Sequence, residues 1–175
     1  FEISDGMAQL VMIAMAIACQ PEILIADEPT TALDVSIQAQ ILELLRRLQA
    51  QTKMSILFVT HDLALVKDIS HRVQVMYAGH LVETGRTKEI LTSPLHPYTQ
   101  ALLEARPRPH LPVRSPLASI PGLVPSPTDK QIGCPFHPRC SKATEICRLQ
   151  TPAPQVFKTH LVSCHHPLDE SKGKQ

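Results

Sequence analysis

An α/β fold on a parallel sheet, followed by a proline-rich, cysteine-containing extension, is the architecture this sequence predicts. Three observations predict it. The apolar runs Ile23–Ala26 and Ile56–Val59 have strand length without polar alternation, the pattern of strands covered on both faces. Stretches with helical spacing precede and separate them, giving the order helix, strand, helix, strand. Composition then changes near Arg106. Residues 1–105 carry 7 Lys/Arg and 12 Asp/Glu, whereas residues 106–175 carry 10 and 4 and hold twelve of the sixteen prolines.

Ile3-Ser4-Asp5-Gly6 reads as a turn, with Ser4 as N-cap of a strongly apolar helix from Met7 to Cys19. Apolarity on nearly every face predicts that this helix is buried over most of its surface, and Cys19 reads as a small core residue. Pro21 ends it. A second helix over Val35–Ala50 follows from Ile37, Ile41, Leu44, Leu45 and Leu48, with Arg46 and Arg47 near the end where the helix dipole favours cations. After the Ser55–Thr60 strand come a short helix (Leu63–Ile69) and strands at Arg72–Tyr77 and His80–Glu83 joined by Ala78-Gly79. Helices near Thr87–Leu91 and Tyr98–Ala105 close this part. Seven prolines make residues 106–132 an extended linker, and residues 133–175 hold four of the five cysteines. The last seven residues are expected to fray.

Chemistry concentrates in the first part. The Ile23–Ala26 run ends in Asp27-Glu28, two acids at the mouth of a strand, where open α/β sheets bind ligands. One can hold Mg²⁺ and the other can orient or deprotonate an attacking water. By itself such a pair is equally a solvated turn. The second strand ends in His61, and parallel strands would bring it to the same sheet edge. The turn at Ser4 and Gly6 offers helix N-terminal N–H groups to an anion. Alone, His61 reads as a histidine at a strand end, and Asp34 as an N-cap.

Taken in order, these motifs resemble the C-terminal part of the ATP-binding cassette (ABC) ATPases, P-loop NTPases that power dipeptide and oligopeptide importers. Ile3-Ser4-Asp5-Gly6-Met7 resembles their signature turn, Ile23–Asp27 the Walker B strand and Glu28 the catalytic carboxylate. Thr31-Ala32-Leu33-Asp34 resembles the D-loop, and His61 the switch histidine. His96-Pro97-Tyr98-Thr99-Gln100-Ala101-Leu102-Leu103 and the cysteine tail resemble the peptide-importer branch. The resemblance implies that Asp27 positions Mg²⁺, Glu28 polarises the attacking water and His61 contacts the γ-phosphate. It places Asp34 at an interface between two ATPase subunits, and Ser4 and Gly6 over ATP held by the partner. Implied partners are transmembrane permease subunits and a second ATPase, at the cytoplasmic face of the membrane.

Two departures bear on activity. No G-x-x-x-x-G-K-[ST] occurs in the chain, so the phosphate-cradling loop is missing from it. The glutamine loop and adenine-stacking aromatic of the family are missing with it. The chain begins at Phe1, within what reads as the middle of a fold, and is expected to be a fragment that does not hydrolyse ATP alone. Secondly, Asp5 stands where the signature has glycine. A carboxylate ~4–6 Å from phosphate is repelled by roughly 3–4 kcal/mol per unit pair at an effective dielectric near 20. Leu10 also replaces a residue that is usually basic.

Cys134, Cys140, Cys147 and Cys164 are spaced C-x5-C-x6-C-x16-C. Zinc ribbons usually contain C-x2–4-C pairs, so these gaps disfavour them, and a cytosolic ATPase disfavours disulfides. An iron–sulfur cluster tolerates irregular loops. The family resemblance suggests a [4Fe–4S] cluster on these four residues, with Zn²⁺ or free thiols as alternatives. His137, His160, His165 and His166 are nearby alternative ligands, though expected to be mostly just exposed. The basic tail lacks a dense Lys/Arg run and interleaved aromatics, so nucleic-acid binding is not expected. No apolar run reaches the roughly 18 residues of a membrane span. The predicted function is therefore the ATP-binding subunit of a peptide importer, here without its phosphate loop. The alternative is a non-catalytic remnant acting as a metal-binding or interaction module.

Overall fold

Two of the apolar runs become neighbouring parallel strands. The computed structural model describes residues 4–106, 119–126, 128, 132–157 and 159–168, which fall into two units, Phe1–Ser70 and His71–Gln175. The first unit has the order α1 (Asp5–Ile17), β1 (Ile23–Asp27), α2 (Val35–Thr52), β2 (Ser55–Val59) and α3 (Leu63–Ile69). β1 and β2 pair in parallel with Ile23 opposite Ser55 and Asp27 opposite Val59, so both strands end at the same edge. Ser4 caps α1 by accepting the Met7 N–H at 3.4 Å. Asp34 caps α2 by accepting the Ile37 N–H at 2.9 Å.

The core of this unit joins Ile13 of α1, Leu24 of β1, Ile41 and Leu45 of α2, and Met54. It is one-sided, which corrects the expectation of strands covered on both faces. Leu24 and Ala26 are buried, whereas Ile23, Ile25, Leu57 and Val59 point away and are exposed. Helix α1 is likewise buried only at Ile13, with Met7, Val11, Met12 and Met15 exposed. The reason is architectural: α1 and α2 share one face of a two-stranded sheet, and no described residue of the unit supplies a second layer. Cys19 is exposed rather than a core residue. Helix α2 runs on to Thr52, leaving Arg46 and Arg47 outside the last turn. Arg46 instead donates to the Asp68 carbonyl and Arg47 to Glu43 at 2.9 Å.

The second unit is an antiparallel sheet with short helices. β3 (Arg72–Tyr77) and β4 (His80–Arg86) form the expected hairpin, with Ala78 and Gly79 both at positive φ in the turn. α4 (Thr87–Thr92) and α5 (Pro97–Glu104) follow, and then α6 (Glu145–Leu149), β5 (Gln155–Phe157) and β6 (His160–Val162). The strand order is β3-β4-β6-β5. Because β4 pairs with β6, Glu83 opposite Val162, the sheet draws on both sides of the change in composition near Arg106. The unit boundary accordingly falls at Ser70/His71, not in the proline-rich stretch. Of that linker, 119–126 are described and lack helix or strand; Arg139 donates to the carbonyls of Ile120 and Pro121 at 2.7 and 2.8 Å. Residues 107–118 and the expected frayed end lie outside the described residues, as does Ile3. Among the described residues no helix is long and apolar enough to cross a membrane.

The one-sided core has a measurable consequence. Leu45→Ala, at a position fully buried in the first unit, should lower stability by about 2–5 kcal/mol. Ile25→Thr, on the bare face, should change it by less than about 1 kcal/mol. Urea unfolding of both variants checks this, and a larger loss for Ile25→Thr would contradict the burial pattern.

Candidate functional site

Parallel pairing decides the first site. Since β1 and β2 end together, Glu28 and His61 leave the same sheet edge, and His61 Nδ1 lies 2.8 Å from Glu28 Oε1. The Thr31 hydroxyl donates to Glu28 Oε2 at 2.7 Å. Glu28 has φ 47°, in the left-handed region that a residue with Cβ rarely occupies. Such a conformation costs about 1–3 kcal/mol and is held by its surroundings. Here the Glu28 N–H donates to the Val59 carbonyl at 3.0 Å and the Thr31 N–H to the Glu28 carbonyl at 3.2 Å. The backbone thus leaves β1 sharply and turns the carboxylate toward the end of β2.

The Thr31 hydroxyl first, then the His61 ring, hold the Glu28 carboxyl below its ordinary value. Glu28 in turn raises His61 above its ordinary 6.5. Each carboxylate oxygen retains a lone pair, so the ionised group can still accept a hydrogen bond from water. Asp27 is exposed at the end of β1 beside it.

The other predicted residues of this unit form a separate group. A Cβ on Gly6 would lie 3.0 Å from Ile37 Cγ2, a tight contact that glycine avoids where the start of α1 approaches α2. The turn at Ser4 and Gly6 therefore stands beside the helix that Asp34 caps. Asp5 is exposed at the first position of α1. No described hydrogen bond or ion pair joins Ser4 or Gly6 to Glu28 or His61.

In the second unit Cys134, Cys140, Cys147 and Cys164 line one cavity, together with His96, Phe136, Lys142, His165 and others. Its accessible volume of about 10 Å³ is room for roughly one water. Gly133, at φ 81°, makes this convergence possible: a Cβ there would meet the Cys147 carbonyl oxygen at 2.4 Å. That close passage lets the Cys134 N–H donate to the Cys147 carbonyl at 2.8 Å. The sulfurs have local donors as well. Nearby backbone N–H groups, of Phe136 and His137 at Cys134, of Lys142 at Cys140 and of His166 at Cys164, work against the burial of these thiols. The Thr144 hydroxyl lies 3.7 Å from Cys147 Sγ.

Burial pushes the thiols of Cys134 and Cys140 up, and that of Cys164 to about 11. Among the described residues no group of three or more His, Cys, Asp or Glu side chains stands in an arrangement that could hold a metal ion. Of the four histidines expected to be mostly exposed, only His166 is; His137 and His165 are half-buried, and His160 is buried and lies between Glu83 and Glu89 at 3.5 and 3.6 Å. Thr31, Thr144 and His96 were not singled out from sequence as site residues. A threonine or histidine carries no periodic signal, and only the fold brings these side chains to the two sites.

Comparison with known proteins agrees along the chain. A family model described as the oligopeptide/dipeptide transporter, C-terminal region, matches residues 82–147. An AAA-domain model, whose description includes the AbiEii toxin of a type IV TA system, matches residues 1–67. A dipeptide transport ATP-binding protein of Escherichia coli (strain K12) is 53% identical over 171 residues, 97% of this chain and 52% of that protein. One from Haemophilus influenzae is 53% identical over 169 residues, covering 97% and 51%. Among solved structures, an ABC transporter described as of the metal-chelate type is 36% identical and covers 52% of this chain and 36% of its own, with a TM-score of 0.49. The chain belongs with the C-terminal region of the dipeptide/oligopeptide ABC transporter ATPases. It spans about half the length of the curated relatives it matches.

The Glu28–His61 pair has a definite pH window. A raised His61 contributes fully below 6.5, and that contribution is lost as pH rises through its raised value. A lowered Glu28 contributes above 4.5, and that share is lost as pH falls through its lowered value. The ring resonances of His61 should therefore titrate above 6.5 and move back toward it in Glu28→Gln. An NMR titration showing no difference between the two proteins would exclude the pair in solution.

Proposed function

We propose that this chain forms the C-terminal portion of the ATP-binding subunit of a bacterial peptide importer, with Glu28 and His61 as its catalytic pair. The pairing of these two side chains at the common end of parallel strands carries the reading. Asp27, the last residue of the Walker B strand, would hold Mg²⁺, which neutralises phosphate charge when bound. Glu28, kept ionised by Thr31 and His61, orients the attacking water and accepts its proton. His61, paired with Glu28 at 2.8 Å, would donate to the γ-phosphate. Ser4 and Gly6 present N–H groups of the α1 terminus to ATP on a second ATPase subunit, and Asp34 caps α2 at that interface.

The names of the relatives, dipeptide transport ATP-binding proteins, support a peptide importer. The subunit would sit peripherally on the cytoplasmic membrane face against permease subunits, without nucleic acid. In this reading residues 1–105 are the ATPase part, 106–132 a linker and 133–175 a cysteine-bearing extension. The lack of a phosphate loop within these 175 residues favours a second reading, a non-catalytic module, for the chain in isolation.

The extension is read as a thiolate site for a [4Fe–4S] cluster, with Zn²⁺ as the alternative. Four cysteines on one cavity are of the soft chemical type such groups take, while the described side chains do not themselves stand in a metal-holding arrangement. A bound metal would offset the burial that raises these thiols. Uptake of iron and sulfide by the 175-residue chain, lost in Cys134→Ala/Cys147→Ala, is the expected result of anaerobic reconstitution.

Mg-ATP hydrolysis tests the ATPase reading. The chain alone should give no turnover. Fusion to the remaining portion of the Escherichia coli relative should restore it, and Glu28→Gln in that fusion should lower kcat by about 10²–10⁴ while ATP still binds. Ser4→Arg should abolish turnover by blocking the composite site, and Asp5→Gly should raise it. A fusion that folds and binds ATP but is indifferent to Glu28→Gln would overturn the assignment.

A further inference from the structure

The Glu28 carboxylate is held at both oxygens, by side chains from two different segments. His61 Nδ1, 2.8 Å from Oε1, reaches it from the end of β2. The Thr31 hydroxyl donates to Oε2 at 2.7 Å from within the turn that follows β1. Glutamate has several rotatable side-chain bonds, and a single hydrogen bond leaves the plane of its carboxyl free to swing. The His61 side chain is 77% exposed and by itself is a loose anchor.

Thr31 is the firmer of the two. Branching at Cβ restricts its χ1, and its own N–H donates to the Glu28 carbonyl at 3.2 Å. One residue earlier, Thr30 is buried, and its carbonyl accepts the Gln38 side-chain amide of α2 at 3.0 Å. The Leu33 N–H donates to the same carbonyl at 3.4 Å. The Thr31 hydroxyl is thus placed by a turn pinned to α2. It takes one lone pair of Oε2 and leaves the other, so it orients the carboxylate without filling it.

We propose that Thr31 is a positioning residue for hydrolysis, its hydroxyl fixing the plane of the Glu28 carboxylate against the attacking water. This rests on the reading of Glu28 as the group that orients that water. In the reaction the water oxygen bonds to the γ-phosphorus as the bond to the bridging oxygen breaks and ADP leaves; the water's proton passes to Glu28. Thr31 touches neither water nor phosphate and acts only through the carboxylate.

Two substitutions isolate the hydroxyl. Thr31→Val keeps the branched shape and the backbone N–H without the hydroxyl, and Thr31→Ser keeps the hydroxyl. Thr31 is exposed, so neither disturbs the core. In the fusion to the remaining portion of the Escherichia coli relative, Thr31→Val should lower kcat about tenfold and leave KM for ATP within about twofold. Thr31→Ser should recover most of the loss. Added to Glu28→Gln, Thr31→Val should cost nothing further, because its effect passes through the carboxylate. An equal loss in both backgrounds, or a kcat that Thr31→Val leaves unchanged or raises, would overturn the proposal and leave the Glu28 assignment standing. Indifference of the fusion to Glu28→Gln would overturn that assignment, and this inference with it. Should the fusion show no turnover, the 175-residue chain itself decides. NMR couplings about the Glu28 side-chain bonds should report one rotamer in the wild type and in Thr31→Ser, and averaging in Thr31→Val. Equal couplings in all three proteins would overturn the role of Thr31.

Discussion

Glu83 sits fully buried on β4, and both of its carboxyl oxygens accept backbone N–H groups, from Leu95 at 2.6 Å and His96 at 3.0 Å. An acid in that position would be costly without partners, because burial removes its water and nothing else in an apolar core replaces it. The two N–H groups belong to the segment entering α5, so satisfying the carboxyl also fixes where that helix begins. The same residue stands opposite Val162, through which β6 joins the sheet. One side chain therefore ties the hairpin, the α5 entry and the C-terminal strand into one unit. The orientation of His96 at the cysteine cavity follows from that constraint.

In the first unit the corresponding constraint is a conformation. The left-handed turn at Glu28 is unfavourable by itself and persists because β2 supplies a carbonyl for its N–H and Thr31 closes the turn behind it. The same turn aims the carboxylate at His61. Strain and placement coincide here: a relaxed backbone at residue 28 would carry the acid away from the end of β2. The bare apolar faces of β1, β2 and α1 show the other side of this unit. Its core holds one face only, and stability rests on the packing of α2 against Leu24 and Ile13.

Element types were legible in the sequence because periodicity is a local property. The two strand runs, the α2 stripe, the short α3 and the Ala78-Gly79 hairpin all lie where the pattern of apolar and turn residues puts them. Burial was less legible. The all-apolar α1 and the strand runs suggested two covered faces, yet Met7, Met15, Ile25 and Leu57 are exposed. An apolar pattern states what a segment can bury against, not whether a neighbour is there to cover it. Cys19, expected in the core, is exposed for the same reason.

By itself the sequence determined which chemical groups are available and in what order: Ser4 and Gly6 opening a helix, Asp27 and Glu28 closing a strand, His61 closing the next, and four cysteines near the end. Those depend on residue identity and on short-range spacing. Only the tertiary structure decided which of them meet. Parallel pairing of β1 with β2 brings Glu28 within 2.8 Å of a histidine 33 residues away. Pairing of β4 with β6 crosses the change in composition near Arg106 and makes one unit of its two sides. Long-range contacts of this kind are selected by the free energy of the whole packed arrangement, so no window of neighbouring residues encodes them. The convergence of four cysteines from well-separated positions on one cavity belongs to the same class of fact.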